Sequence, residues 1–209
     1  EKARAISRGE FGEILLHLLL RDFKGTIPLV SKLYFKDSPG VPAHGFDAVH
    51  ISPDEKILWL GESKLYTSAT NGLQDLIEDL KHHFNKQFLS NEYTIIKKNV
   101  LVNNIPERAY WIDRLSKNML LSDMIDCVNI PMLCVYNDPT RFKKCLDENI
   151  ADVRPVFEPR FRELKKYFDD NNNAPLKGCL NIILFLFPVM AKEKFVLVLH
   201  IIFYYLLQI

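Results

Sequence analysis

The sequence predicts an α/β fold with a mixed central sheet, and the order of its segments supports this prediction. Three short strand-forming runs come early in the chain, and later strands alternate with amphipathic helical segments. Consecutive strands with short connections favour an antiparallel meander, whereas strands separated by helices favour crossovers. With 209 residues the chain is long enough for one sizeable domain, and we expect a single domain over residues 1–209.

Composition places the chain among ordinary globular proteins. Hydrophobic residues make up 48% and charged residues 25% of the sequence, and the formal net charge is +1. This small net charge excludes nucleic-acid binding through overall charge, so any anion-binding surface has to be local. The four cysteines show neither a CxxC pattern nor zinc-ligand spacing with histidine, which favours free thiols in a reducing compartment. No signal peptide opens the chain, so we expect a cytoplasmic protein, and because it begins with Glu1 we also expect a missing N-terminal region.

The first half of the chain is predicted as a helix, three strands and a second helix. In "ISRGEFGEILLHLLLRDF" apolar residues recur at helical spacing after a capping-box pair, Ser7 and Glu10. "SKLYFKD" (31–37) is predicted as the first strand, and "GFDAVHISPDEKILWLGESKLY" (45–66) as a hairpin of the next two. "TNGLQDLIEDLKHHFNKQFL" (70–89) carries one apolar stripe and predicts a single amphipathic helix.

The second half alternates strands and helices. Residues 93–129 show a less distinct secondary-structure pattern, and a helix is expected over 109–124. "IPMLCVY" (130–136) and "LNIILFLFPV" (180–189) each predict a buried strand. Residues 179–187 are predicted to be buried on both faces, because their apolar run is almost continuous. Between them, "EPRFRELKKYF" (158–168) predicts a helix with a basic face.

The C-terminal segment is unusually apolar. Pro188 and the charged triplet at 192–194 divide residues 179–209 into runs shorter than the roughly 20 residues that cross a bilayer, so we expect no membrane contact. In "KEKFVLVLHIIFYYLLQI" (192–209) apolar residues continue around every side of a helix, too many for packing on one sheet face. We expect a protein interface, either with a second copy in a homo-oligomer or with a partner, and complete burial is the alternative.

The predicted hairpin carries charges where strands normally present apolar residues. A turn centred at positions 54–55 places Asp47 directly opposite Glu62 on the neighbouring strand. Because side chains alternate along a strand, Lys64 lies on the same face as Glu62. The grouping depends on this register, since a slip by one residue would separate the three charged side chains.

Two opposed carboxylates repel each other, and a divalent cation between them reverses the sign of that interaction. Hard oxygen ligands suit Mg²⁺ or Mn²⁺, which take one or two protein carboxylates together with water and substrate phosphate. We expect Asp47 and Glu62 to hold such a metal, with the backbone carbonyl of Ser63 as a further ligand. Lys64 would then orient an attacking water and stabilise the charge that develops on phosphorus. This spacing fits metal-dependent phosphodiester hydrolysis.

Further acids and histidines lie near the hairpin or in the helices that flank it. Glu10 and Glu13 occupy the opening turns of the first helix. Glu10 already has a role in the capping box, so Glu13 is the better candidate for an auxiliary acid or second-metal ligand, with Glu10 as the alternative. His82 and His83 lie beside the apolar stripe of the second helix and are interpreted as polar-face residues. His50 is interpreted as a packing residue on the opposite sheet face.

The pattern resembles the PD-(D/E)xK nuclease superfamily. That superfamily has a restriction-endonuclease-like core of a helix, a three-stranded meander and a helix, with an Asp on the second strand and (D/E)-x-K on the third. The matching residues here are Asp47 and the triplet Glu62-Ser63-Lys64, while Phe46 stands in place of the proline. More narrowly, "GEFGEILLHLLL", "GFDAVHI", "LWLGESKLY" and "LNIILFLFPV" resemble the HamA family, the nuclease subunit of the Hachiman anti-phage system, and relatives such as AbpA.

The resemblance implies a bacterial Mg²⁺-dependent deoxyribonuclease that acts on DNA and works with the helicase subunit of the same defence system. The alternative is a nuclease-fold module that binds DNA or a helicase without cutting. DNA contact requires clusters of cationic side chains. Candidates for that contact occur in the helical segments: Lys81, Lys86, Lys97, Lys98, Arg160, Arg162, Lys165 and Lys166.

Overall fold

The computed structural model describes residues 8–31, 45–84, 86–116, 127–174 and 178–206. Within these residues, seven helices and five strands form a layered α/β fold, with the strands in spatial order β1-β2-β3-β4-β5. The first two strand pairs are antiparallel and the last two are parallel. The predicted α/β class with a mixed central sheet is therefore confirmed.

The antiparallel half of the sheet consists of β1 (Ile27–Ser31), β2 (Ala48–Ser52) and β3 (Ile57–Leu65). A turn after β2 pairs Val49 with Leu60. This is the register that the sequence predicts for the hairpin, so the segment that precedes β2 runs toward the second half of β3.

The first strand lies earlier than the predicted segment 31–37. All but the first residue of that segment lies outside the described residues, and the strand that pairs with β2 is β1. Pro28 is unfavourable in the interior of a sheet, because proline cannot donate to a strand ladder. It is tolerated because β1 is an edge strand of the sheet, where it pairs with β2 through His50.

The parallel half of the sheet consists of β4 (Val128–Asn137) and β5 (Asn181–Val189). Strand β4 is buried along almost its whole length, as predicted. The prediction that β5 is buried on both faces is wrong, since most of its residues are only partly buried. Among the described strands β5 is the last of the sheet and has a neighbouring strand on one side only.

Helices cover both faces of the sheet and enclose two apolar cores. On one face, α1 (Arg8–Lys24) and α7 (Lys192–Leu206) pack against β3 and β4. On the other face lie α2 (Ala69–His83) and α6 (Arg154–Asn171), which contact each other and the larger core. The Glu62-Ser63-Lys64 triplet on β3 therefore lies between two helical layers.

The predicted helix over 70–89 is two helices. Helix α2 ends at His83, and the next helix, α3, spans Lys86–Val102. Phe84 caps α2 by donating its N–H to the carbonyl of Leu80, and its buried side chain continues the apolar stripe. This continuity of the stripe across a break is why the periodicity indicated one helix.

Two further helices differ from the predictions. Helix α4 spans Arg108–Ser116 and overlaps the first part of the helix expected over 109–124, and residues 117–126 lie outside the described part of the chain. Helix α5 (Pro139–Asp147) has no counterpart among the predictions. It is short and buries none of its residues, and Asp138 accepts the N–H of Arg141 as an N-cap.

Two glycines allow α1 to lie close to β3. A Cβ atom on Gly61 would lie 2.8 Å from a methyl carbon of Leu16, and one on Gly12 would lie 3.0 Å from the Ser63 hydroxyl. Any larger residue at these two contacts would push the helix away from the strand. The opening turns of α1 are thereby held against the centre of β3.

The C-terminal helix α7 is exposed over much of its surface. Leu197, Tyr204 and Tyr205 are each more than half exposed, and Ile201 is 48% exposed. The alternative that this tail is wholly enclosed is therefore wrong for the described chain. No helix among the described residues is long and apolar enough to cross a membrane. The four cysteines are all described, and none forms a disulfide.

Candidate active site

The site forms where β3 extends beyond β2. Strand β3 has nine residues and β2 has five, and their ladder ends at the pair Ala48–Gly61. Asp47 lies one residue before β2, and its Oδ2 accepts the backbone N–H of Ser63 at 2.9 Å and the Ser63 hydroxyl at 2.8 Å. The structure thus brings Asp47 beside the Glu62-Ser63-Lys64 triplet, as the predicted register requires.

Both carboxylates of this site are buried. Asp47 is 8% exposed and Glu62 is 3% exposed. A buried carboxylate is costly unless polar or charged groups surround it. For Glu62 one such group is His83, whose Nδ1 lies 2.7 Å from Glu62 Oε1.

Lys64 extends from β3 to α2, where its Nζ lies 2.6 Å from Oδ2 of Asp79. Burial opposes the charged form of Lys64, but the bond to Asp79 and the charges of Glu62 and Asp47 together hold its pKa above the ordinary value. The ammonium group is therefore within electrostatic reach of both carboxylates. The three residues that the sequence singles out come together at one end of β3.

Ser63 and Glu13 were predicted to assist the metal. Ser63 directs its hydroxyl and N–H toward Asp47, and its carbonyl stays a predicted ligand. Glu13 follows Gly12, the position at which α1 comes closest to Ser63. Glu10 and Glu13 are both buried, at 6% and 7% exposure, so burial does not separate the two candidates for the auxiliary acid.

Sequence reasoning missed two residues of α2 that contact the triplet. Asp79 lies within ion-pair distance of Lys64, and His83 lies within ion-pair distance of Glu62. The interpretation of His83 as a polar-face residue is wrong, because its side chain is 16% exposed and turned toward the site, whereas its neighbour His82 is exposed as expected. The missed signal was a spacing of four residues on the helix that directly follows the triplet, which places both side chains on one helix face.

The sequence matches the model of the HamA family over residues 1–200. The chain belongs to the HamA family. Membership suggests a component of the Hachiman anti-phage defence system, in agreement with the resemblance that the sequence motifs carry. No match was found among curated proteins, and none among solved structures.

The donor set of this HamA-family site fits one kind of metal better than others. Within the described residues, no group of three or more His, Cys, Asp and Glu side chains could hold a metal ion. Mg²⁺ needs only one or two carboxylates when water and phosphate oxygens complete its coordination. Both bonds from Ser63 go to the same oxygen of Asp47, Oδ2. The residues therefore fit Mg²⁺ completed by substrate, and they do not fit an all-protein cage such as a structural zinc site.

On the opposite sheet face, the HamA-family chain buries a polar chain of three residues. Nε2 of His50 lies 2.6 Å from Nδ1 of His17, and Nδ1 of His50 lies 2.7 Å from the Thr26 hydroxyl. Burial, and then the charge of His17, lowers the pKa of His50 to about 3. His50 is fully buried and pairs with Trp59 on β3, so its interpretation as a packing residue is confirmed.

The predicted basic face of α6 carries both signs of charge. Lys165 lies 2.5 Å from Asp169, and Lys166 lies 2.7 Å from Asp170, each one turn further along the helix. Further basic candidates have acidic neighbours on their own helices: Lys81 with Glu78, Arg160 with Glu163 and Arg162 with Glu158. Surface ion pairs of this kind cancel much of the local field, so α6 does not form a uniform cationic surface.

Proposed function

We propose that this HamA-family protein is a Mg²⁺-dependent deoxyribonuclease of the PD-(D/E)xK superfamily that acts in Hachiman defence. The observation that supports the proposal best is the meeting of Asp47, Glu62 and Lys64 at the end of β3. Burying two carboxylates beside an ammonium group costs free energy when no metal is bound. Carboxylates are also the ligands that bind Mg²⁺ together with a phosphodiester.

Each residue has a defined role in this proposal. Asp47, Glu62 and the carbonyl of Ser63 would hold Mg²⁺ (or Mn²⁺), which supplies Lewis-acid stabilisation of the phosphate when bound. Lys64 orients the attacking water and stabilises the developing negative charge. The water oxygen bonds to phosphorus and gives up one proton, one P–O ester bond breaks, and the leaving oxygen takes up a proton. Glu13 assists as an auxiliary acid, and Glu10 is the alternative for that role.

Cleavage by the purified protein tests this proposal. Plasmid, linear and single-stranded DNA are incubated with the protein in Mg²⁺ or in EDTA, and the products are separated on gels. We expect degradation with Mg²⁺ only, and its loss in Glu62→Gln, which keeps the shape of the side chain and removes its charge. The matched control is Glu55→Gln, at the exposed turn of the same hairpin. Equal cleavage by Glu62→Gln and wild type would contradict the assignment.

A second candidate function is a nuclease-fold module that binds DNA or a helicase without cutting. The contacts of Glu62 with His83 and of Lys64 with Asp79 favour it, because they stabilise the buried charges without a metal. Thermal unfolding in Mn²⁺ and in EDTA discriminates the two functions. The nuclease should unfold at a higher temperature in Mn²⁺, whereas a module without a metal site should not.

We further propose that a helicase subunit of the same system restrains the nuclease. The mixed charge of α6 and the net charge of +1 supply little sequence-independent attraction to DNA, so delivery to DNA falls to a partner. Co-expression with a helicase encoded nearby should give a stable complex whose cleavage is suppressed. Equal cleavage by the free and the complexed protein would count against restraint.

A further inference from the structure

Three polar contacts join β3 and the residue that follows it to α2 in regular order. They are Glu62 with His83, Lys64 with Asp79, and the hydroxyl of Tyr66, which donates to the carboxylate of Asp75. From one of these contacts to the next, the position advances by two residues on the strand and changes by four residues on the helix. Two strand residues span about 6.6 Å and four helical residues about 6.0 Å, so the two sets of side chains stay in step over three contacts.

These three polar contacts are distinct from the apolar contacts that pack α2 on the sheet. Helix α2 already buries an apolar stripe that includes Leu73, Leu76 and Leu80. Apolar burial of this kind supplies the main stabilisation of a helix on a sheet. Two of the three contacts, those of Asp79 and His83, are made instead with the residues assigned to catalysis.

His83 is itself held in place from two further elements. Its ring stacks on Phe88 of α3, with centroids 4.2 Å apart and planes 11° apart. The ring of Phe46 meets it edge-on at 5.4 Å. Because Phe46 directly precedes Asp47, His83 touches both the carboxylate of Glu62 and the segment that carries the other carboxylate.

We propose that Asp79 and His83 are positioning residues of the nuclease site. His83 sets the orientation of Glu62 and, through Phe46, its separation from Asp47, while Asp79 sets the position of the Lys64 ammonium. This inference rests on the proposed nuclease function and assigns α2 a part in it. Since metal affinity depends on ligand orientation, loss of such partners typically weakens metal binding or activity about 10- to 100-fold.

Variants of His83 separate positioning from packing. His83→Phe keeps a ring for stacking on Phe88 and removes the nitrogen that contacts Glu62, whereas His83→Asn keeps a nitrogen near the place of Nδ1. The control is His82→Phe at the exposed neighbouring position. We expect His83→Phe to weaken Mn²⁺ binding, measured by calorimetry, by about tenfold or more. His83→Asn should recover most of that loss, and the control should bind as the wild type does.

Asp79 should affect the reaction in a different way. Lys64 is not a metal ligand in the proposed site, so Asp79→Asn should lower kcat while the Mg²⁺ concentration for half-maximal cleavage changes little. The matched control is Glu78→Gln, which removes the neighbouring acid that pairs with Lys81. Asp79→Glu, which keeps the charge, should restore part of the rate.

The outcomes of these experiments separate the inference from the proposed function. If the wild type neither cuts DNA nor binds Mn²⁺, the proposed function is wrong. If the wild type does both, and folded His83→Phe and Asp79→Asn match it in Mn²⁺ affinity and in kcat, the positioning roles alone are wrong. Circular dichroism and thermal unfolding establish that each variant is folded. Should His83→Phe fail to fold, metal binding by His83→Gln decides the question, because glutamine cannot place a donor where Nδ1 lies and should bind more weakly than asparagine.

Discussion

Ser63 donates both its backbone N–H and its hydroxyl to the same oxygen of Asp47, at 2.9 and 2.8 Å. Ser63, the middle residue of the triplet, thus fixes the position of the Asp47 carboxylate beside Glu62 and Lys64. It can do so because the β2–β3 ladder ends at Ala48, so among the described residues this part of β3 has no antiparallel neighbour. The second half of β3 and the side chain of Asp47, the residue before β2, form the site together.

Ser63→Ala should lower the free energy of unfolding. The substitution removes one of two hydrogen bonds to a buried carboxylate, and bonds to charged groups are worth about 1.5–3 kcal/mol each. Urea unfolding in EDTA measures this change, with the exposed Ser90→Ala as the control. A variant as stable as the wild type would mean that the backbone N–H alone holds Asp47.

Removal of the two carboxylates should have unequal effects on stability. Because the two carboxylates repel each other, removing either one should by itself maintain or raise the stability of the metal-free protein. Asp47→Ala also leaves two buried donors of Ser63 without their acceptor, which costs about 1–3 kcal/mol. We therefore expect Asp47→Ala to be the less stable of the two in EDTA, and both to lose Mg²⁺-dependent cleavage. Cleavage by Asp47→Ala at the wild-type rate would refute the metal site.

The predictions that held concern patterns within a few residues along the chain. The hairpin register followed from one turn and from alternating apolar residues, and it was enough to bring Asp47 opposite the triplet. Strand β4 was readable because a fully buried strand is apolar throughout. Contacts between residues that are close in sequence, or directly opposite in a hairpin, can be predicted from the local sequence pattern.

The predictions that failed concern contacts between distant elements. The position of β1 was missed because Pro28 is acceptable only at a sheet edge, and edges are not visible in sequence. Burial of β5 was overestimated for the same reason. His83 was misread because a histidine beside an apolar stripe has the same local pattern whether it faces solvent or a strand carboxylate.

Gly12→Ala should weaken the site although alanine favours a helix. Its Cβ would lie 3.0 Å from the Ser63 hydroxyl, so either α1 or the serine has to shift. Gly9→Ala on the same helix is the matched control, since a Cβ there meets nothing within 4 Å. We expect weaker Mn²⁺ binding in Gly12→Ala and unchanged binding in Gly9→Ala. Identical affinities would show that the serine accommodates the methyl group without moving Asp47.

His50 should make the protein less stable in mild acid. Its folded pKa of about 3 lies below the ordinary value of 6.5, so the unfolded chain binds a proton that the folded chain does not. Stability is therefore full above pH 6.5 and falls as the pH drops from there toward 3, because protonation increasingly favours the unfolded chain. Urea unfolding at pH 8, 6.5 and 5.5 should show a shallower decline for His50→Gln than for the wild type. His82→Gln, at an exposed position, should leave the slope unchanged.

The apolar surface of α7 should mediate association with another protein chain. Leu197, Ile201 and Tyr204 are about half exposed on one helix, and apolar surface of this kind is typical of protein interfaces. Ile201→Glu combined with Tyr204→Ser should dissolve a homo-oligomer or a helicase complex while the thermal midpoint stays close to that of the wild type. Light scattering after size exclusion measures the change, and the control is Lys194→Glu at an exposed polar position of α7. If the wild type is a monomer that binds no helicase, the interface is refuted.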